Sequence, residues 1–148
     1  MKKILLIKLV IVMAVLFFVN SSHAQNPVNW TSNQLIEPSA LANEIIAKKD
    51  VPVIISVGPG AVIPNSVNAG MASETVGLDN LKTQLKNLPK NKKIVIYCGC
   101  CPFEHCPNVR PAINVLKEMN FTNYYLLDLP DNIKKNWIDK GYPVTKQE

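Results

Sequence analysis

The chain has 148 residues and a formal net charge of +5, but three of its lysines, Lys2, Lys3 and Lys8, stand in an apolar N-terminal stretch. Without residues 1–24 the balance is 13 basic against 11 acidic side chains, or +2. That is too small a surplus for the concentrated basic patch of a nucleic-acid interface, so no nucleic-acid partner is expected. The 124 residues from Gln25 to Glu148 suit one compact domain.

The opening "MKKILLIKLVIVMAVLFFVNSSHAQN" has a basic start, an apolar run from Ile4 to Val19, and small residues at Ser22 and Ala24. This is the layout of a secretory signal, with cleavage expected after Ala24. An uncleaved anchor is the alternative, since the run approaches spanning length. The small pair placed before the cut favours removal, and no cysteine follows the run to carry a lipid. The expectation is an exported protein, periplasmic or secreted, with no stable membrane association once residues 1–24 are gone.

"QNPVNWTSN" (25–33) reads as a flexible segment, and 34–146 as the folded domain. In "SALANEIIAKKD" (39–50), Leu41, Ala42, Ile45 and Ile46 fall on one helical stripe, with Pro38 suited to the first turn. "VPVIISV" (51–57) is a β-branched apolar run, as in a strand buried on both faces. "GPGAVIPNSVNAG" (58–70) is turn-rich. "LDNLKTQLKNLP" (78–89) spaces Leu78, Leu81, Leu85 and Leu88 as a helix, with Asp79 or Asn80 as cap and Pro89 as terminator. Lys82, Lys86, Lys90, Lys92 and Lys93 read as its solvated face and following turn. "KIVIY" (93–97) is a second buried strand, "YYLLDL" (124–129) a third, and "DNIKKNWIDKGYPV" (131–144) a final helix closed by Gly141.

Between these elements, Val109, Ala112, Ile113, Leu116 and Met119 form another helical stripe, with Asn108 as cap and Pro111 in the first turn. Trp137 and Tyr142 are expected to pack the last helix on the sheet, and Trp30 to cover an edge. Short apolar strands alternating with amphipathic helices predict an α/β domain, a parallel sheet with helices on both faces.

All four cysteines, Cys98, Cys100, Cys101 and Cys106, fall in "CGCCPFEHC", directly after the strand ending at Tyr97. Sites in parallel sheets form at the carboxyl ends of strands. Disulfides this local would close only tiny loops and remove little chain entropy, so chemistry explains the cluster better than stapling. A cysteine facing a helix start has N–H groups and the helix dipole to favour its thiolate. Cys98, first after the strand, is the expected nucleophile, in a reachable hollow where main-chain amides converge. Gly99 and Cys100 belong to that cradle, and Arg110 adds a fixed charge. Cys106 is the alternative nucleophile.

The unit "IVIYC" followed by "AINVLKEMNFTNYYLLD" resembles the active-site region of rhodanese-like sulfurtransferase domains. "VIISVGPGAVIPNSVNAG" is similar to that family's early strand and turn, and "WIDKGYPV" to its closing segment, so the likeness runs from about Gln34 to Val144. It implies a rhodanese-like fold, no cofactor, and a persulfide on Cys98 that passes from a small sulfur donor to a thiol acceptor. Against the family pattern the loop is enlarged, with Cys98 and Arg110 twelve positions apart. Ser56, Val57 and Gly58 stand where Asp-Val-Arg is usual, and Ala61 and Val62 where Gly-His is usual.

Two alternatives use the same loop. Cys98 and Cys101 have the spacing of a thiol–disulfide exchange site, which makes Cys101 a resolving thiol and calls for a periplasmic thiol reductant. The adjacent Cys100 and Cys101 pair only through a strained, labile bridge. A thioredoxin fold is disfavoured, since the chain ends five residues beyond Pro143. Alternatively, Cys98, Cys100, Cys101, His105 and Cys106 form a soft donor set for Cu(I) or Zn(II). A non-catalytic rhodanese-like domain with a disulfide-bonded loop is the remaining reading.

Overall fold

The β-branched runs at the centre of the sequence form adjacent central strands, and everything else is arranged about them. The computed structural model describes residues 30–145. The expected leader 1–24, residues 25–29 of the expected flexible segment, and the last domain residue, 146, lie outside the described residues.

Five parallel strands, β1 (Leu35–Ile36), β2 (Val53–Ser56), β3 (Val67–Asn68), β4 (Ile94–Tyr97) and β5 (Tyr124–Leu127), make one sheet in the order β1-β5-β4-β2-β3. Ile55 lies opposite Ile96, and Ile96 opposite Leu126, so the middle of the sheet is a row of large apolar side chains. Parallel neighbours need crossovers that cover the faces. These are the helices α1 (Pro38–Ala47), α2 (Thr75–Leu85) and α3 (Val109–Glu118).

Strand side chains alternate between faces. On β4, Ile94 and Ile96 point into a core built with Leu81, Leu85, Val109, Ala112 and Leu116 of α2 and α3. Val95 and Tyr97 point into the opposite core, with Leu41 and Ala42 of α1 and with Trp137. The sheet is therefore covered on both faces, as expected. Cys98 continues the Ile94–Ile96 face, which puts its sulfur on the α2/α3 side.

Several boundaries differ from the sequence reading. The expected helix 39–50 starts with Pro38 and ends at Ala47, and Ile46 turns outward, 66% exposed. The expected helix 78–89 begins a turn earlier, at Thr75, with Glu74 rather than Asp79 or Asn80 as cap, and ends at Leu85. Gly77 lowers the helix propensity of that first turn, yet its missing Cβ lets the Met71 carbonyl pack against it. The expected final helix shrinks to a wide π-type turn, Lys134–Ile138, into which Asn132 reaches from just before it, its Oδ1 accepting from Lys135 N–H at 2.9 Å. Gly141 follows it with a φ of 73°. Within the 25–33 stretch, Ser32 opens a 3-10 turn, Ser32–Gln34. The two-residue strands β1 and β3 are absent from the sequence reading. Lys93, expected to be solvated, is half-buried and pairs with Glu44 at 2.5 Å.

Candidate functional site

Cys98 follows β4 directly, and the chain then folds back as a compact loop held at three points. Ile133 N–H donates to Gly99 O at 3.0 Å, and Phe103 N–H to Leu129 O at 3.2 Å. The Phe103 ring is buried in the same core as Cys98 and Cys106, so it anchors the loop. Gly99 admits this packing because a Cβ there would sit 2.9 Å from Ile133 Cγ2. With its ends fixed, the loop gathers four sulfurs that all lie within 4.8 Å of one another.

Inside that group Cys98 and Cys106 are buried, Cys101 is partly exposed and Cys100 is exposed. Cys98 Sγ lies 3.4 Å from Cys100 Sγ, which lies 3.1 Å from Cys101 Sγ. Asn108, fully buried as the N-cap residue of α3, uses both ends of its amide. Its Oδ1 accepts from Ser73 N–H at 2.8 Å, and its Nδ2 donates to Cys98 Sγ at 3.6 Å. Gly58, just beyond β2, leaves the space the sulfur occupies, since a Cβ there would stand 2.5 Å from Cys98 Sγ.

These contacts set the order in which the thiols ionise. A hydrogen bond from Cys106 does most to favour the Cys98 thiolate; burial opposes it, and the Cys100 N–H, the Asn108 amide and the Cys100 thiol add to it. The balance lowers Cys98 from 9.0 to about 5. Cys106 is pushed well above the ordinary thiol range, because it donates to Cys98 and is itself buried. Cys100 is pushed up to about 12, first by desolvation and then by hydrogen bonds to Cys101 and Cys98 that favour its protonated form. Bonded thiols do not ionise independently, so one negative charge is shared by the cluster and rests on Cys98.

The cluster departs from the sequence reading in several respects. Cys98 is 2% exposed and not in an open hollow, so the cysteines open to solvent are Cys100 and, in part, Cys101. Among its donors the main chain contributes the Cys100 N–H, while side chains of Cys106, Asn108 and Cys100 supply the rest. Cys106 and Cys100 both touch the Cys98 sulfur, the latter at 3.4 Å, whereas Cys101, expected as its resolving thiol, adjoins Cys100. His105 is exposed on a 3-10 turn and falls outside the sulfur group. The Arg110 guanidinium lies over the Trp30 ring, 5.4 Å from its centroid. Gly58 and Asn108 were not anticipated as site residues. The one signal for Gly58 was its place beside the strand end where the resembling family carries a charged side chain.

No protein-family model matches the sequence, and no curated protein matches it. Solved structures do. A rhodanese-related protein from Thermoplasma volcanium superposes with a TM-score of 0.50 at 22% identity, over 77% of this chain and 99% of that one. The fold is rhodanese-like. A single-domain sulfurtransferase from Saccharomyces cerevisiae matches this rhodanese-like chain with a TM-score of 0.52 at 14% identity, covering 76% of it and 95% of the yeast chain. A protein from Lactobacillus plantarum gives 0.58 at 15% identity, over 77% and 89% of the two chains. At such identities the likeness establishes the architecture and leaves the chemistry to the cysteine loop itself.

Proposed function

We propose that this is an exported rhodanese-like sulfurtransferase that carries sulfur as a persulfide on Cys98. The observation behind this reading is the surroundings of that sulfur: a buried Sγ at a strand's carboxyl end, touched by the Asn108 amide and the Cys100 N–H. Thiolate is the nucleophilic form of cysteine, and a site that favours it at neutral pH also favours it as a leaving group when sulfur moves on. Export rests on the leader-like residues 1–24, and places the protein where a thiol reductant must keep the loop reduced.

In the reaction, the Cys98 thiolate attacks the outer sulfur of a donor of the thiosulfate class. The S–S bond of the donor breaks, sulfite leaves with the bonding pair, and Cys98 holds the persulfide. A thiol acceptor then takes the outer sulfur and Cys98 returns as thiolate. The test is incubation of the anaerobically reduced protein with thiosulfate, followed by mass spectrometry. A gain of one sulfur atom, absent from Cys98→Ser, supports the reading. No adduct on any cysteine contradicts it, and loading that persists in Cys98→Ser transfers the role to Cys106.

A second reading has its own observation, the four sulfurs within 4.8 Å of one another. Such a set suits a soft ion, Cu(I) or Zn(II), held by thiolates without His105. Stoichiometric metal in anaerobically purified protein, lost on replacing Cys100 and Cys101 together, favours this reading over sulfur transfer.

A further inference from the structure

The burial of Cys98 raises a question that sulfur transfer alone leaves open. A thiol acceptor in solution must touch the outer sulfur of the persulfide, yet Cys98, the residue that bears it, is 2% exposed. Phe103 and Cys106 are buried with it on the core side, and Gly58 closes in from β2. Among the neighbouring thiols, Cys100 combines contact with exposure: its Sγ is 3.4 Å away and its side chain is exposed.

We propose that Cys100 is a relay thiol, which takes the sulfane sulfur from Cys98 and presents it at the surface to a thiol acceptor. This rests on the persulfide reading of Cys98 above. The step balances without any outside oxidant or reductant. Cys100 gives its proton to solvent, and its sulfur attacks the outer sulfur of the Cys98 persulfide. The bond from that outer sulfur to Cys98 Sγ breaks, and its electron pair stays on Cys98 as thiolate. One S–S bond forms and one breaks, leaving the persulfide on Cys100.

Geometry and chemistry both favour this direction. An S–S bond is about 2 Å long, so in-line exchange needs the two end sulfurs to part to about 4 Å or slightly more. Cys100 has solvent to move into, whereas Cys98 is fixed by Asn108 and the core. Exchange is faster when the leaving thiolate is the more stable one, and the donors around Cys98 provide that. An acceptor thiol then removes the outer sulfur from Cys100, and the loop is restored.

The experiment reads loading and discharge separately. Wild-type protein, Cys100→Ser and Cys100→Ala are loaded with thiosulfate, freed of donor, and mixed with reduced glutathione, while the sulfur is located by peptide fragmentation. With loading run to its end point, sulfur is expected on Cys98 in all three, and discharge slowed at least about tenfold in both variants. In the wild type, label is expected on Cys98 first and on Cys100 during discharge. Wild-type discharge rates in the variants, or sulfur that never reaches Cys100, overturn the relay and leave the persulfide on Cys98 standing. A wild-type protein that takes no sulfur on any cysteine overturns both.

Discussion

Replacing Gly58 with alanine is the most informative single perturbation of the site. The added Cβ would stand 2.5 Å from Cys98 Sγ, whereas ordinary contact begins near 3.4 Å. The sulfur must therefore retreat by about 1 Å or rotate away, since neither partner compresses that far. Either movement draws it off Asn108 Nδ2 at 3.6 Å and off the neighbouring Cys100 donors. Hydrogen bonds to a charged group contribute about 1.5–3 kcal/mol each, and one pKa unit corresponds to about 1.4 kcal/mol. Partial loss of this set should move the Cys98 midpoint up from about 5 by roughly 1–2 units. Overpacking should also cost about 1–3 kcal/mol of stability. Gly58 does not have the positive φ of Gly60, Gly70 and Gly141, so alanine is compatible with the backbone there and the effect is steric. The assay is the pH dependence of alkylation at Cys98, read by mass spectrometry, with denaturant unfolding alongside. An unchanged midpoint together with unchanged stability would refute the claim that Gly58 makes room for this sulfur.

Other outcomes follow from the same contacts. Asn108→Ala removes a donor from Cys98 and strands Ser73 N–H; it should raise the Cys98 midpoint by about one unit and cost roughly 1–3 kcal/mol in denaturant unfolding. Tyr97→Phe removes the hydroxyl that accepts from Val62 N–H at 3.0 Å and meets Ser66 Oγ at 3.1 Å. It should destabilise by about 1–3 kcal/mol while leaving the alkylation profile of Cys98 unchanged, because Tyr97 packs in the opposite core. In the metal-free protein, Cys98 alkylation should fall as pH drops through about 5, where the thiolate takes up its proton. If the loop holds zinc, adding zinc should block alkylation and raise the melting temperature, and Cys106→Ser should lose both effects while His105→Ala keeps them.

Much of the fold was legible because its signals are local. The runs at 53–56 and 94–97 carry their own β-branched pattern, and α3 shows its apolar stripe within one segment. Strands β1 and β3 are two residues long and owe their existence to a neighbour, Leu126–Leu127 for one and Ile55–Ser56 for the other, so no local pattern announces them. The first turn of α2 was hidden by Gly77, where packing against Met71 overrides propensity. The same division holds at the site. Four cysteines in one loop pointed to its chemistry directly. Which sulfur is buried, and what charges it, depends on Gly58 and Asn108, which meet Cys98 only once the sheet and α3 are assembled. Asn108 was recognised for its place at the helix start, while its side chain serves Ser73 and Cys98 instead of the helix.

Sulfur transfer in this loop requires one buried sulfur to be negatively charged at neutral pH. Ultraviolet titration of thiolate absorbance in the anaerobic, metal-free protein tests it most directly. One thiolate should appear with a midpoint near pH 5 and be missing from Cys98→Ser. Absorbance that first rises near pH 8.5, as for a free thiol, would contradict it, as would an early midpoint that survives the loss of Cys98.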